Sequence, residues 1–301
     1  MQSTNAIPLC LVGVFLVLVP QGATEPVQPK AVVRVAVVIT PESSGLLRQL
    51  LADFEKQTRH KVLVDSRQDV FGLARDGKAD LVLAHYGHGG TEEFCTEGLG
   101  LWPRPVFSNQ AALIGPSSDP ARIGGTRDAV EAFRRIARAK VPFVVNNGAS
   151  QKYLADVLWQ AAGKPDRAEW YRDQGLRNQA TTKNAIEAAV KQKGYTLWGL
   201  VPYLKYQEEH PECGMKALVT DDPLFQRLMV TVVVQPAKIE DVNVEGAKAL
   251  ERFLIAPETQ ARIRAFRVRG FDGPVWWPAG RNNSVAFLKG SPSTRRDSGM
   301  P

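Results

Sequence analysis

The chain has 301 residues, of which 44% are hydrophobic and 23% are charged, and these ordinary proportions exclude collagen-like and wholly disordered proteins. Its length predicts two domains with a sizeable core. The net charge of +7 fits either a basic, soluble surface or an anionic ligand, and because lysine and arginine are spread along the chain we expect no nucleic-acid partner.

An uncharged apolar run from Ile7 to Pro20 lies near the N-terminus, and small residues follow it at Gly22 and Ala23. This pattern is typical of a signal peptide, and the run is shorter than the ~20 residues that span a bilayer. We therefore predict a signal peptide over residues 1–24, export to the periplasm and no membrane span after cleavage. Because no lysine or arginine precedes the run, an uncleaved N-terminal anchor is the alternative.

Short apolar runs then alternate with segments of helical periodicity. The predicted strands, in chain order, are Val32–Ile39, Lys61–Val64, Asp80–Ala84, Ala111–Gly115, Phe143–Val145, Met215–Val219 and Met229–Val234. The predicted helices are Leu46–Thr58, Val70–Asp76, one through Glu92 and Glu93, Thr126–Ala139, Lys152–Ala162, Thr182–Lys191, Val244–Ile255 and Pro257–Phe266. This alternation predicts an α/β protein with a parallel sheet and crossover helices. Since no long linker divides the chain, we expect it to cross between two lobes more than once.

The C-terminal region combines an aromatic motif with a polar tail. We predict that Trp276, Trp277 and Pro278 form an aromatic plug against the first lobe, with a partner-binding patch as the alternative. Residues 286–301 are rich in serine, proline and arginine, which predicts a disordered tail.

Two cysteines, Cys95 and Cys213, remain after the predicted signal peptide. In an exported protein such a pair can form a disulfide. Bridging requires Cα atoms closer than about 7 Å, and the sequence does not say how far apart the two residues lie. Two free thiols are therefore the alternative.

Several short stretches, taken in their order, carry a family resemblance; they are Ser44–Leu47, Phe54–Thr58, Gly77–His85, Ile114–Pro116, Asp119–Ala121, Asp128–Ala132, Pro142–Val144, Gly194–Leu197 and Gly246–Ala249. Together they resemble the tungstate- and molybdate-type periplasmic solute-binding proteins, within the wider type II periplasmic binding proteins, over Val33 to Phe266. The resemblance implies an α/β fold of two lobes, each a mixed sheet flanked by helices, with hinge strands between them and a ligand in the cleft.

The same resemblance implies how the chain is divided between the lobes. We predict that lobe I comprises residues 31–110 plus 232–285 and that lobe II comprises residues 111–231. The crossings are expected near Gln110–Gly115 and Met229–Gln235.

The implied function is the periplasmic solute-binding component of an ABC transporter. Such a protein is a monomer that binds a small ligand, here an oxyanion or a small polar solute, and docks on a permease without a cofactor or enzymatic activity. A divergent periplasmic sensor or scaffold is the alternative. A metal-dependent enzyme is a third hypothesis, because residue types that suit zinc occur close together at His85, His88, Glu92, Glu93 and Cys95.

Ligands of open α/β sheets lie outside the carboxyl ends of the strands, so the loops there are expected to hold the binding residues. The family has a Thr-Thr-Thr-Ser-like stretch after the first strand, where this sequence keeps Thr40 and has Ser43 and Ser44 just beyond. The family's Gly-Thr-Gly-like turn after the second strand is replaced by Ser66 and Arg67.

The second lobe departs from the family as well. Asn146 or Asn147 stands where the family has an arginine, only Ser150 is kept from the Ser-Gly-Thr-His-like helix start, and Thr196 and Trp198 surround the place of an acidic-basic pair. One interpretation is a change to an uncharged or organic ligand that stacks on the tryptophan. Another is compensation, with Arg67 as the new cation in the opposite lobe. A third is that the gapped loops align one or two residues away.

Overall fold

The computed structural model describes residues 31–177 and 183–279, so the predicted signal peptide and the predicted disordered tail lie outside the described residues. The strands are β1 (Val32–Val37), β2 (Lys61–Ser66), β3 (Leu81–His85), β4 (Arg104–Pro116), β5 (Phe143–Val144), β6 (Tyr171–Arg172), β7 (Tyr195–Gly199), β8 (Met215–Val219), β9 (Gln226–Val233) and β10 (Trp277–Pro278). The helices are α1 (Ile39–Ser43), α2 (Leu46–Gln57), α3 (Val70–Arg75), α4 (Thr91–Thr96), α5 (Ala129–Ala139), α6 (Ala149–Ala161), α7 (Asn184–Gln192), α8 (Leu200–Glu209), α9 (Val244–Ile255) and α10 (Pro257–Ala265). Within the described ranges, no helix has the length and apolar character that crossing a bilayer requires.

The strands form one mixed sheet in the order β2-β1-β3-β9-β4-β7-β5-β6, with β8 and β10 also paired to β4. The pairs β1–β2, β1–β3, β5–β6 and β5–β7 are parallel, whereas β9 and β4 run antiparallel to their neighbours. Helices connect the parallel strands, as the alternating sequence pattern predicts. The mixed α/β architecture with flanking helices is therefore confirmed.

Strand β4 carries the chain from one half of the sheet to the other. Its first part, from Arg104 to Gln110, pairs with β9, and its second part, from Ala111 to Pro116, pairs with β7 and β8. This change of partners lies at the position predicted for the outward crossing. We use lobe I for the part built on β1, β2, β3, β9 and β10, and lobe II for the part built on β5 to β8.

The return crossing lies earlier in the chain than expected. Strand β9 already pairs with β4 of lobe I at Gln226, so the chain returns between Val219 and that residue. The prediction of a crossing within Met229–Gln235 is therefore wrong. The sequence misled here because the apolar run covers only the buried part of β9, whereas the strand begins with two polar residues. We propose on this ground that lobe II ends near residue 225.

A capping side chain makes one helix begin at a different residue from the predicted one. The helix expected to begin at Thr126 begins at Ala129, because the Asp128 carboxylate accepts a hydrogen bond of 2.9 Å from the N–H of Glu131. A side-chain oxygen that satisfies a first-turn N–H fixes the start of a helix there. Capping of this kind is a stronger signal than apolar periodicity, which extends past both ends of a helix.

Two clusters of buried side chains hold the sheet between its helices. The larger cluster packs on both halves of the sheet, with α2, α3 and α9 on lobe I and α7 and α8 on lobe II. The smaller cluster lies between lobe II and the helices α5 and α6. There Phe133 meets Phe143 and Trp170 edge-on, at ring distances of 4.9 and 5.2 Å. Such pairs add about 0.5–1.5 kcal/mol beyond the area they bury.

A buried carboxylate joins three distant segments of lobe I. Asp80 is fully buried and accepts hydrogen bonds from the Arg34 guanidinium at 2.6 Å and from the Arg34 N–H at 2.7 Å. It also accepts one of 2.9 Å from the N–H of Asn243, the N-cap of α9. The strand β1, the start of β3 and the start of α9 therefore depend on one side chain, which the sequence pattern had placed in an ordinary strand.

The predicted aromatic plug is confirmed. Trp276 is fully buried in the larger cluster, lies edge-on to Phe107 at 5.1 Å, and donates its indole N–H to the Ser44 hydroxyl at 3.2 Å. Its neighbour Trp277 is only partly buried and starts the short strand β10 beside β4. The C-terminal segment thus closes lobe I next to the crossing strand.

Both remaining cysteines are free thiols. Cys95 lies on α4 of lobe I and Cys213 lies after α8 of lobe II, and each packs partly buried against the larger cluster. Of the two alternatives left open by the sequence, the structure has the unbridged one. Burial raises the pKa of the Cys95 thiol, which disfavours its reactive thiolate form.

Candidate functional site

The carboxyl ends of the parallel strands in both lobes point at the crossing between the lobes. Strand β3 ends at His85, which pairs with Met229 near the start of β9, and β7 ends at Gly199, which pairs with Ala111 of β4. Strands β1 and β2 run parallel to β3, and β5 runs parallel to β7, so their carboxyl ends lie at the same place. This is where open α/β sheets bind ligands. We call it the cleft.

In lobe I, the hydroxyl groups after β1 are engaged within the protein. Thr40 is buried in α1, and its carbonyl accepts a hydrogen bond from the Ser43 hydroxyl at 3.3 Å. The Ser44 hydroxyl donates to the carbonyl of Pro41 at 3.1 Å and accepts from the indole of Trp276. These bonds favour a structural role for both serines, and the ligand contacts expected of the three residues stay a prediction.

At the end of β2, the Ser66 hydroxyl lacks a hydrogen-bond partner among the described residues, whereas the Arg67 guanidinium is bound to a carboxylate. The hydroxyl oxygen of Ser66 is buried without a hydrogen-bond partner among the described residues. Arg67 is exposed and binds Asp65 through two hydrogen bonds of 2.7 and 2.5 Å. Because this carboxylate already balances its charge, Arg67 is a weak candidate for the compensating cation.

In lobe II, Asn146 ties two strand ends together. It is buried, its Nδ2 donates to the carbonyl of Leu197 at 3.1 Å, and its Oδ1 accepts from the N–H of Gly148 at 3.0 Å. Its neighbour Asn147 donates from Nδ2 to Asp173 at 2.8 Å, while its Oδ1 is buried without a partner among the described residues. Asn146 therefore shapes the edge of the cleft, and Asn147 keeps one polar atom unpaired beside it.

Two helices of lobe II begin at this edge without a side-chain cap. Helix α6 starts after Gly148 and α8 starts after Gly199, and neither N-cap residue accepts a hydrogen bond with its side chain. The Ser150 hydroxyl donates instead to Oε1 of Gln151 at 3.1 Å. First-turn N–H groups carry the partial positive charge of the helix, so both starts are suited to an anion.

Two further predicted residues lie within the sheet. The Thr196 hydroxyl is buried and donates to the carbonyl of Val144 at 2.8 Å. Trp198 is 2% exposed and packs against Tyr206, with 6.3 Å between the rings. Its ring therefore faces the core, and in this structure it offers no surface on which an organic ligand could stack.

The structure adds two residues that the sequence analysis missed, Asn109 and Arg227, close to His85, which the sequence analysis considered only as a zinc ligand. Arg227 of β9 pairs with Asn109 of β4, and its charge reaches His85 at the end of β3. We name His85, Asn109 and Arg227 the hinge cluster. Nε2 of His85 and Oδ1 of Asn109 are buried without a hydrogen-bond partner among the described residues. The pattern gave no signal, because Arg227 precedes the apolar run that marks β9.

Burial lowers the pKa of His85 well below its usual value, and the positive charges of Arg227 and His88 lower it further. The unfolded chain, with a histidine pKa near 6.5, then binds more protons than the folded protein as the pH falls. We therefore expect stability to be full above about pH 6.5 and to decline below it, by up to about 1.4 kcal/mol per pH unit for this one proton. Urea unfolding between pH 5 and 7.5, compared with the variant His85→Asn, checks this. Equal slopes for the two proteins would show that His85 is not responsible.

A metal site finds no support in the described ranges. Residues 31–177 and 183–279 contain no group of three or more His, Cys, Asp and Glu side chains that could hold a metal ion. Within the sequence cluster considered for zinc, Nδ1 of His88 instead lies 2.7 Å from the carbonyl oxygen of Gly89, and Cys95 Sγ lies 3.6 Å from the carbonyl of Leu101.

Comparison with known proteins places this geometry in a family. Residues 24–258 match the family described as the PBP superfamily domain. The tungstate-binding protein TupA of Peptoclostridium acidaminophilum is 28% identical over 277 residues, which cover 90% of this chain and 93% of that protein.

Solved structures show the same fold. The tungstate binding protein TupA from Desulfovibrio alaskensis G20 superposes with a TM-score of 0.71 at 22% identity, over 83% of this chain and 99% of that one. The structure described as the tungstate ABC transporter from Geobacter sulfurreducens gives a TM-score of 0.65 at 23% identity, over 79% of this chain and 100% of that one. The predicted resemblance and the two-lobed type II fold are thereby confirmed, and the chain belongs to the PBP superfamily domain family.

Proposed function

We propose that the chain is the periplasmic solute-binding component of an ABC transporter and that its ligand is a small oxyanion. The observation that carries this proposal is the convergence of both lobes on one cleft, where strand ends and the uncapped starts of α6 and α8 face the crossing strands. Backbone N–H groups at helix starts are suited to oxyanions. The names of the relatives, which concern tungstate, support the same ligand class.

A neutral organic ligand is the weaker candidate. That interpretation depended on stacking against Trp198, whose ring is turned into the core. It also depended on free asparagine amides, whereas Asn146 is engaged by Leu197 and Gly148. The Ser66 hydroxyl, which is left without a partner among the described residues at the end of β2, can donate a hydrogen bond to an anionic oxygen.

The proposed mechanism is closure of the lobes about the crossing strands. A ligand shifts a conformational equilibrium only by its extra contacts in one state, so the closed state must offer donors from both lobes. Ser66 and the hinge cluster would supply them from lobe I, and the starts of α6 and α8 from lobe II. The closed, loaded monomer would then dock on a permease. This role requires no cofactor and no catalytic step, and the named relatives are binding proteins rather than enzymes.

Thermal unfolding of the purified protein with a panel of solutes tests the proposal. The panel contains tungstate, molybdate, sulfate and phosphate, with glucose and glycine as neutral or zwitterionic controls. An oxyanion present at ~100 times its dissociation constant adds about 2.7 kcal/mol to the folded state, which raises the midpoint by several degrees. A midpoint that none of the four anions moves at millimolar concentration would contradict the proposed ligand class.

A further inference from the structure

Arg227 occupies an unusual place for a charged side chain. It lies in β9, the strand between β3 and β4 at the middle of the sheet, two residues before the fully buried Met229. It faces Asn109 across the strand pair that joins the lobes. Charged side chains at such positions are rare unless they are paired or functional.

No acidic side chain of the described residues balances this charge. Burial lowers the pKa of Arg227 to about 10, and no carboxylate is near enough to oppose that shift. Two arginines of the neighbouring strands β1 and β2 are paired by contrast: Arg34 binds Asp80, and Arg67, just after β2, binds Asp65. Arg227 is thus a partly buried cation with no anionic partner among residues 31–177 and 183–279.

The groups around Arg227 also lack partners. Nε2 of His85 and Oδ1 of Asn109 are buried without a well-formed hydrogen bond among the described residues, although the Asn109 side chain is close enough to His85 to affect its pKa. Unsatisfied buried polar groups are uncommon and call for an explanation. The neutral ring of His85 carries one N–H, and an asparagine amide can present either its oxygen or its nitrogen at a given place. A bound group with several oxygen atoms would accept from the His85 N–H and, with the amide turned, from the nitrogen of Asn109.

We propose that Arg227 is the cation of the binding site and that it holds the oxyanion at the floor of the cleft, with His85 and Asn109 beside it. The proposal rests on the proposed function, and it assigns the charge to the crossing strand β9 rather than to Asn146, Asn147 or Arg67. A guanidinium can bind two oxygen atoms of one tetrahedral anion with parallel hydrogen bonds, which a lysine cannot do.

The proposal makes opposite predictions for stability and for binding. Replacing Arg227 by glutamine removes a desolvated, unpaired charge, so the ligand-free midpoint should stay the same or rise. The same change removes the charged partner of the anion, so tungstate should bind at least about 100-fold more weakly. A residue kept only for structure would lower the midpoint when it is replaced.

Two measurements test the proposal. Calorimetric titration gives the dissociation constant for tungstate, and thermal unfolding gives the ligand-free midpoint of each variant. We compare wild type, Arg227→Gln, Arg227→Lys and, as a control with the same change in net charge, Arg262→Gln. Arg262 lies on α10 and pairs with Asp53 of α2 at 2.7 Å. We expect wild-type affinity for the control, the large loss for Arg227→Gln, and partial recovery for Arg227→Lys because it keeps the charge but not the fork geometry.

The other outcomes separate the two proposals. If wild type binds tungstate and the dissociation constant of Arg227→Gln lies within about threefold of the wild-type value, the assignment of Arg227 is overturned. The proposed function then still stands. A clearly lower ligand-free midpoint for Arg227→Gln would also overturn it, since the side chain would then stabilise the fold. Wild type that binds none of the four anions would remove the proposed function itself.

Discussion

Replacement of Asp80 by alanine is expected to lower the free energy of unfolding by about 3–5 kcal/mol, because it leaves the partly buried Arg34 without its anion. The change also leaves the N–H groups of Arg34 and Asn243 without an acceptor, and each buried unsatisfied group adds about 1–3 kcal/mol. Chemical denaturation of the purified variant measures the loss. Since β1, β3 and α9 all meet at this carboxylate, we expect lobe I to lose stability before lobe II.

A matched control lies four residues earlier in the chain. Asp76 pairs with Lys78 at 2.8 Å, but both side chains are more than half exposed. An exposed pair of this kind contributes about 0–1 kcal/mol, so Asp76→Ala should change stability little. Similar losses for Asp76→Ala and Asp80→Ala would mean that burial of the carboxylate is not what makes Asp80 important.

Replacement of Trp276 by alanine is the second large effect, with an expected loss of about 3–5 kcal/mol. The indole fills lobe I beside Phe107 and holds the Ser44 hydroxyl at the end of α1. Its removal leaves a cavity in a well-packed core, where the neighbours relax only in part. Unfolding by guanidinium, followed by circular dichroism, gives the magnitude.

The adjacent Trp277 provides the comparison. It is only partly buried, so Trp277→Ala should destabilise the protein much less. If Trp277→Ala destabilised as much as Trp276→Ala, the C-terminal segment would be held mainly by the strand β10 instead of by the buried indole.

Much of the fold could be predicted because local sequence patterns determine many of its strands and helices. The apolar runs at β1 and β3 and the periodic helices α2 and α9 are features that hydrophobic burial alone imposes. The buried indole of Trp276 could likewise be expected, since a large aromatic side chain gains more from burial than a small one.

The site was harder to predict, because function depends on groups that break these patterns. Arg227 precedes the apolar part of its strand, and only the register against Asn109 shows that it reaches the crossing. The sequence suggested Trp198 as a stacking surface for a ligand, yet its side chain lies in the core beside Tyr206. Arg67 carries the right charge, but its partner Asp65 two residues away neutralises it.

The two cores described above imply an order of assembly. The smaller core is built from one continuous stretch, Ala111 to Phe225, whereas the larger joins Val33–Phe107 to Met229–Trp276 and also takes in side chains of α7 and α8. Contacts between distant segments form slowly because a long loop must close first. During synthesis, the sheet of lobe I therefore stays incomplete until β9 has been made, because β9 lies between β3 and β4. The continuous core of lobe II needs no later segment, so we expect lobe II to become compact during synthesis while lobe I does not.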